Sequence, residues 1–290
     1  MAYGDWRLAA STGKQVKISE SKNVETLIQI NLTMENRNIQ LFKRKDKKIL
    51  SVYFTAGYPN LEDTVKIIAE LEKNGADLIE IGIPFSDPVA DGPVIQKSSE
   101  IALNNGMSIN CLFEQLKDIR KEVSIPLILM GYLNPVMQYG IENFCLKCKE
   151  NGIDGTIIPD LPLDIFEAEY KEIFEANQLS NIFLVTPQTP DERIRKIDAI
   201  STGFIYLVSS SSTTGAKVGV ANEQMAYFER VQQMKLNSKI LVGFGISDKV
   251  SFERASSFTN GAIIGSAFIQ CLEGKGTVEN QVREFIRQIT

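Results

Sequence analysis

Eight times along this chain a short run of branched apolar residues gives way to a longer amphipathic segment, and this repetition limits the fold more than any other feature. The runs are ILSVYF (49–54), LIEIGI (78–83), PLILMG (126–131), GTIIP (155–159), IFLVT (182–186), FIYLVS (204–209), ILVGF (240–244) and GAIIG (261–265). Between them apolar residues recur at helical spacing: LEDTVKIIAELEKNGA sets Val65, Ile68 and Leu71 on one face. Asn-Gly punctuates helix ends, as in EKNGAD and KENGID. Strands that alternate with helices form parallel sheets, because each helical crossover returns the chain to the same end of the sheet. Eight strand–helix units of about 30 residues each predict an α/β fold, a single (β/α)8 TIM barrel; an open doubly wound sheet is the alternative.

The barrel domain is expected over residues 34–290, with MENRNIQLFKRKDKK (34–48) supplying an extra N-terminal helix. Residues 1–33 do not share the alternating pattern of the rest of the chain and lack the apolar core of a secretory signal. They read as an N-terminal extension, either a disordered tail added upstream or a loosely attached native arm, and they carry the only tryptophan, Trp6.

Composition removes several function classes. The net charge of −5 gives no basic field for nucleic acid, and no apolar run approaches the length of a membrane span. Four cysteines, Cys111, Cys145, Cys148 and Cys271, are too few and scattered for a disulfide framework. Cys145 and Cys148 have CxxC spacing, but they lie in a helical pattern and read as two packed thiols rather than a redox or metal site. A reducing, cytoplasmic compartment is expected. The chain has no histidine, which removes Ser-His-Asp and Cys-His catalysis and the commonest metal ligand. Acid–base chemistry here must use carboxylates, Tyr, Lys or Cys.

In such a barrel the chemistry sits on the loops after the C-terminal strand ends. The seventh run ends in VGFGIS, with Gly243 and Gly245, and the eighth in IIGSAF, with Gly265 and Ser266. Glycine lets backbone N–H groups approach an anion, so these paired turns are a candidate phosphate cradle; two ordinary tight turns are the alternative. The stretch VSSSSTTGAKVGVANEQM (208–225), rich in Ser, Thr and Gly, is long for such a loop and reads as a mobile lid or a plain flexible loop.

The second run contains a carboxylate. Alternation puts Ile79, Ile81 and Ile83 on the helix-facing side and Leu78, Glu80 and Gly82 on the interior side. Burial there raises a carboxyl pKa, which suits Glu80 to general acid or base work; a structural ion pair to Lys or Arg is the alternative. Asp91, on the loop behind it, is a substrate-binding or second acid–base candidate. Asp87 reads as a turn residue bonded to its own backbone. On the sixth run Tyr206 shares a face with Phe204 and Val208, so it either enters the same pocket or packs at the barrel rim.

IEIGIPFSDPVADGPVIQ (79–96) closely resembles the signature of the tryptophan synthase alpha chain family, as do GYLNPV (131–136), IIPDLPLD (157–164), STTGA (212–216), VGFGIS (242–247) and IIGSAF (263–268). The resemblance runs from about Met34 to the C-terminus. It implies a (β/α)8 barrel that cleaves indole-3-glycerol phosphate to indole and glyceraldehyde 3-phosphate by a retro-aldol lysis, in tryptophan biosynthesis, with no metal or organic cofactor. Glu80 then matches the catalytic glutamate that protonates the indole ring carbon, and Asp91 the aspartate at the indole N–H. Tyr206 matches a tyrosine beside the glutamate, and Gly215, Gly245, Gly265 and Ser266 match phosphate-binding positions. Thr214 matches a lid threonine, and Asp160 the aspartate it meets on closure. Tyr53 and Met130 stand where the family lines its indole pocket, usually with Phe and Leu. The implied partner is a PLP-dependent beta chain in an alpha2beta2 complex, met partly through a loop holding Asn134 and Pro135. Ser210 stands where many relatives carry a lid arginine. Another phosphate-binding barrel enzyme and a non-catalytic activator of a beta chain are the competing readings; the paired Glu80 and Asp91 argue against the second.

Overall fold

The runs of branched residues become parallel strands, because both faces are covered and the pleat buries nearly all the side chains it carries; Met130, Leu184, Lys239 and Ile240 are partly exposed. The computed structural model describes residues 36–208, 218–243 and 245–290, with only the backbone of 218–223. The strands are β1 (Ile49–Thr55), β2 (Leu78–Gly82), β3 (Leu127–Met130), β4 (Gly155–Ile157), β5 (Ser180–Ile182), β6 (Leu184–Val185), β7 (Phe204–Val208), β8 (Lys239–Gly243) and β9 (Gly261–Ile264). They pair in the order β5-β4-β3-β2-β1-β9-β8-β7-β6.

The two ends of that order are neighbours in the chain. β5 bonds to β4, β6 bonds to β7, and only Phe183 lies between them. The Phe183 carbonyl accepts from Tyr206 N–H at 3.0 Å, so its backbone already faces β7. β5 and β6 are therefore two halves of one barrel strand, and the sheet closes into an eight-stranded barrel. The expected fifth run, 182–186, thus begins two residues early, at Ser180, and changes partner in its middle. The barrel expectation holds over the open sheet.

Helices cover the outside. Thr64–Asn74 buries Ile67, Ile68 and Leu71, while Val65 is only half-buried. Gly75 and Gly152, which follow helices as their Asn-Gly pairs suggest, take left-handed φ values of 108° and 68° that side chains resist. Ile141–Glu150 buries Cys145 and Cys148 completely, and burial pushes both thiols up, Cys145 to about 12. These are packed thiols. Asn134 and Pro135 do not lie in a loop; they belong to the first turn of a helix, Leu133–Tyr139. Proline is tolerated there because first-turn N–H groups have no helical partner. No helix among the described residues is long and apolar enough to cross a membrane.

A further helix, Arg37–Arg44, precedes β1. Its Phe42 ring packs 6.0 Å from Phe204, at the N-terminal end of β7, and so helps to stopper the lower mouth. Asn36 caps it, accepting from Asn38 N–H at 2.9 Å and donating to the carbonyls of Asp154 and Gln178. Asp154, just before β4, pairs with Arg37 at 3.1 Å and Arg120 at 2.6 Å.

Candidate active site

Strand register sets the interior. Parallel partners point the same way, and Tyr53 stands beside Glu80, Glu80 beside Ile128, and Tyr206 beside Leu184 and Leu241. Glu80 therefore enters the barrel, as its alternation predicted, and it is wholly buried. Its Oε1 accepts from Ser51 Oγ at 2.9 Å, while Oε2 has no hydrogen-bond partner among the described residues. No Lys or Arg among those residues pairs with it. Loss of hydration pushes its carboxyl from an ordinary 4.5 up to about 8, against a smaller opposing effect of the Ser51 hydrogen bond.

Two glycines make room for two tyrosines. A Cβ on Gly82 would run into the Tyr53 hydroxyl, and one on Gly243 into the Tyr206 hydroxyl. Both rings thus lie across the interior instead of standing at the rim. Burial holds both hydroxyls far above their usual range, with the charges of Asp91 and Glu80 adding to it.

Above them opens a cavity of about 210 Å³. Tyr53, Asp91, Met130, Tyr206, Gly245, Gly265 and Ser266 all line it, with Ile95 and Ile263 among the apolar walls. Glu80 lies behind this wall, next to the tyrosines that form it. Asp91 is raised by burial, opposed by a hydrogen bond that Tyr132 Oη donates to its Oδ2 at 3.1 Å. The same Tyr132 oxygen accepts from Ala90 N–H at 3.0 Å, and its ring packs 5.2 Å from Phe85. One tyrosine thus fixes both the loop and its carboxylate.

Asp160 stands apart from the cavity wall. It is exposed, and its Oδ1 accepts from Leu133 N–H at 2.9 Å, at the start of the helix after β3. Asp87 does not bond its own backbone as expected; its Oδ2 accepts from the Ser86 hydroxyl at 2.5 Å, on the surface. Thr214, Gly215, Ser210 and Trp6 lie outside the described residues.

Ser51 and Tyr132 carry no role in the sequence reading. Ser51 had a signal: it is a lone hydroxyl two residues before Tyr53, hence on the same interior face. Tyr132 comes directly after the glycine that ends the third run, where loop residues reach the mouth. Among the described residues no group of His, Cys, Asp or Glu side chains could hold a metal ion.

The sequence model of the tryptophan synthase alpha chain family matches residues 39–289. The chain belongs to that family. The tryptophan synthase alpha chain of Flavobacterium johnsoniae is 60% identical over 246 residues, covering 85% of this chain and 96% of its own. That of Flavobacterium psychrophilum is 59% identical with the same coverage, 85% and 96%. Among solved structures, the tryptophan synthase alpha chain of Legionella pneumophila superposes with a TM-score of 0.78 at 33% identity, over 88% of this chain and 95% of that one. Tryptophan synthase from Mycobacterium tuberculosis, in an aminoacrylate-bound form, gives 0.76 at 27% identity, over 88% and 98%. As a tryptophan synthase alpha chain family member the protein is a lyase, and the barrel is the family's barrel. Its departures from the sequence expectation, the divided fifth strand and the helical Asn134 and Pro135, are matters of local geometry within that fold.

Proposed function

We propose that the protein cleaves indole-3-glycerol phosphate into indole and glyceraldehyde 3-phosphate, with Glu80 and Asp91 as its acid–base pair. The observation that carries this reading is Glu80, a carboxyl wholly buried inside a barrel, lifted to about 8, beneath a cavity lined by Asp91. Such a group holds its proton at neutral pH, which a carbon acid–base step requires. Glu80 gives its proton to the ring carbon that bears the glycerol chain. Asp91 accepts the indole N–H and steadies the positive charge that forms on the ring. The Glu80 carboxylate then takes the proton of the adjacent glycerol hydroxyl. The carbon–carbon bond breaks, its electrons return to the ring, and an aldehyde is left. One proton is given and one recovered, so the enzyme ends as it began. Gly245, Gly265 and Ser266 suit the phosphate, and the family resemblance assigns Gly215, outside the described residues, to the same role; Tyr53, Met130 and Tyr206 suit the flat apolar ring. Thr214 is the lid residue and Asp160 its counterpart.

A PLP-dependent beta chain in an alpha2beta2 complex is the proposed partner. Val89, on the Asp91 loop, is 86% exposed, and Met137, one turn beyond Asn134, is 55% exposed. Large apolar side chains this exposed beside an active-site mouth suit a covered surface. Four free cysteines suit a cytoplasmic setting. Residues 34–290 are proposed as the catalytic domain and 1–33 as an extension outside it.

The test is indole release from indole-3-glycerol phosphate, with and without a beta chain. The parent should form indole, and do so faster when a beta chain is present and co-sediments. Glu80→Gln should bind substrate and lose at least about a thousandfold in rate, the range seen when an acid essential to both proton transfers is removed. Near-parental turnover by Glu80→Gln would end the assignment.

A further inference from the structure

Tyr53 stands where the family usually places Phe, so its hydroxyl is an atom that this chain adds to the pocket. Glycine flanks the ring at both ends. A Cβ on Gly265 would lie 3.3 Å from Cδ1, at the base of the ring, and one on Gly82 would run into the hydroxyl at its tip. Gly265 belongs to the turn proposed for phosphate, and Gly82 lies one interior position above Glu80 on β2. The ring therefore spans the wall of the cavity from the phosphate turn to the strand that carries the acid.

The hydrogen of that hydroxyl is already committed. Ser98 Oγ donates to the Ile95 carbonyl at 2.8 Å, which uses the one hydrogen it has. It lies 2.7 Å from Thr55 Oγ1, so in that bond Thr55 is the donor. Thr55 and Ser98 are both buried. Thr55 is the next interior residue of β1 and the hydrogen-bond partner of the Tyr53 hydroxyl. With its own hydrogen spent on Ser98, Thr55 accepts, and Tyr53 donates. The Tyr53 oxygen is left as an acceptor. Asp91, which also lines the cavity, is the charge that acts on it most strongly, ahead of Glu80, which sets the oxygen toward the cavity.

We propose that the Tyr53 hydroxyl is a specificity-determining group, whose oxygen accepts a hydrogen bond from the hydroxyl on the middle carbon of the substrate's glycerol chain. This rests on the reading of the substrate as indole-3-glycerol phosphate. With the phosphate at Gly265 and Ser266 and the ring at Asp91, the three-carbon chain runs along Tyr53. Its first hydroxyl, beside the indole, is the one that loses its proton in the reaction, and its last carbon carries the phosphate. The middle hydroxyl is the donor that remains. A site built to bond a substrate hydroxyl discriminates against the analogue that lacks it.

The experiment measures indole formation by the parent and by Tyr53→Phe from two substrates. One is indole-3-glycerol phosphate; the other lacks only the middle hydroxyl and yields indole by the same bond cleavage. Tyr53→Phe removes one oxygen and keeps the ring. It should lower kcat/KM for the full substrate about fivefold, the worth of one neutral hydrogen bond, and leave that for the analogue within about twofold. An equal loss on both substrates would show that the hydroxyl only packs the pocket, and no loss on either that it does not meet the chain; each overturns the inference. A parent that released indole from neither substrate would instead end the reading of the reaction, so the two failures are told apart.

Discussion

At the residue scale, Glu80 sets chemistry against stability. Its carboxyl titrates at about 8 in the fold and at an ordinary 4.5 when exposed. Between those values the unfolded chain has lost the proton and the folded chain keeps it. Folding therefore binds hydrogen ions, and stability falls as pH rises through that window, by about 1.4 kcal/mol per pH unit. The effect is complete above about pH 8 and absent below 4.5. Glu80→Gln has no such titration. The difference in unfolding free energy between Glu80→Gln and the parent should thus widen in the variant's favour from pH 4.5 to 8, then level off, in urea melts. A difference that stays flat over this range would mean the carboxyl is hydrated. Glu80 was legible in sequence because an acid in an apolar strand must be either paired or functional. Ser51 and Tyr132 were not, because a hydroxyl in a strand or loop is ordinary until its partner is known. Both partners are distant in the chain: Ser51 lies 29 residues from Glu80, and Tyr132 lies 41 from Asp91.

At the element scale, the periods of two and 3.6 were enough to find the strand and helix order, since each element buries a face that must repeat. They could not show that the fifth strand changes partner at Phe183, because that depends on which backbone groups face β4 and which face β7. Nor could they show how closely neighbouring strands approach. β9 begins at Gly261 opposite Ile49, and a Cβ there would strike the carbonyl, nitrogen and carbon of the Ile49 backbone. Ile49 cannot retreat, since its own N–H donates to the Asn260 carbonyl at 3.0 Å. Gly261→Ala should cost about 3 kcal/mol, the upper range for overpacking, because no flexible side chain can yield. At Gly75 the added Cβ meets open space, so Gly75→Ala should cost only about 1 kcal/mol, from its left-handed φ. Equal urea midpoints for the two variants would show that β9 is free to move away from β1.

At the scale of the whole molecule, the barrel separates its chemistry from its fastening. Asp91, Gly245 and Gly265 come after the C-terminal ends of strands, whereas Asp154 precedes β4 and ties the opposite end. Its carboxylate is nearly inaccessible, with the side chain 3% exposed. It accepts from Arg120 at 2.6 Å, Arg37 at 3.1 Å and Leu127 N–H at 3.0 Å, so one residue joins the first helix, the segment before β3 and the start of β4. Arg120 is buried enough that loss of hydration lowers it to about 10 in spite of Asp154. Its other contacts are to the carbonyls of Gly152, Val123 and Ile125, which satisfy its hydrogens but not its charge. Removing the carboxylate leaves that charge uncompensated, the costly way to break a buried pair. Asp154→Ala should therefore lower unfolding free energy by about 3 kcal/mol. At temperatures where the variant remains folded, kcat and KM for indole release should match the parent, because no contact of Asp154 reaches the cavity. A variant that kept its stability would show that water already screens Arg120. One that lost kcat while folded would show instead that the lower mouth sets the geometry around Glu80.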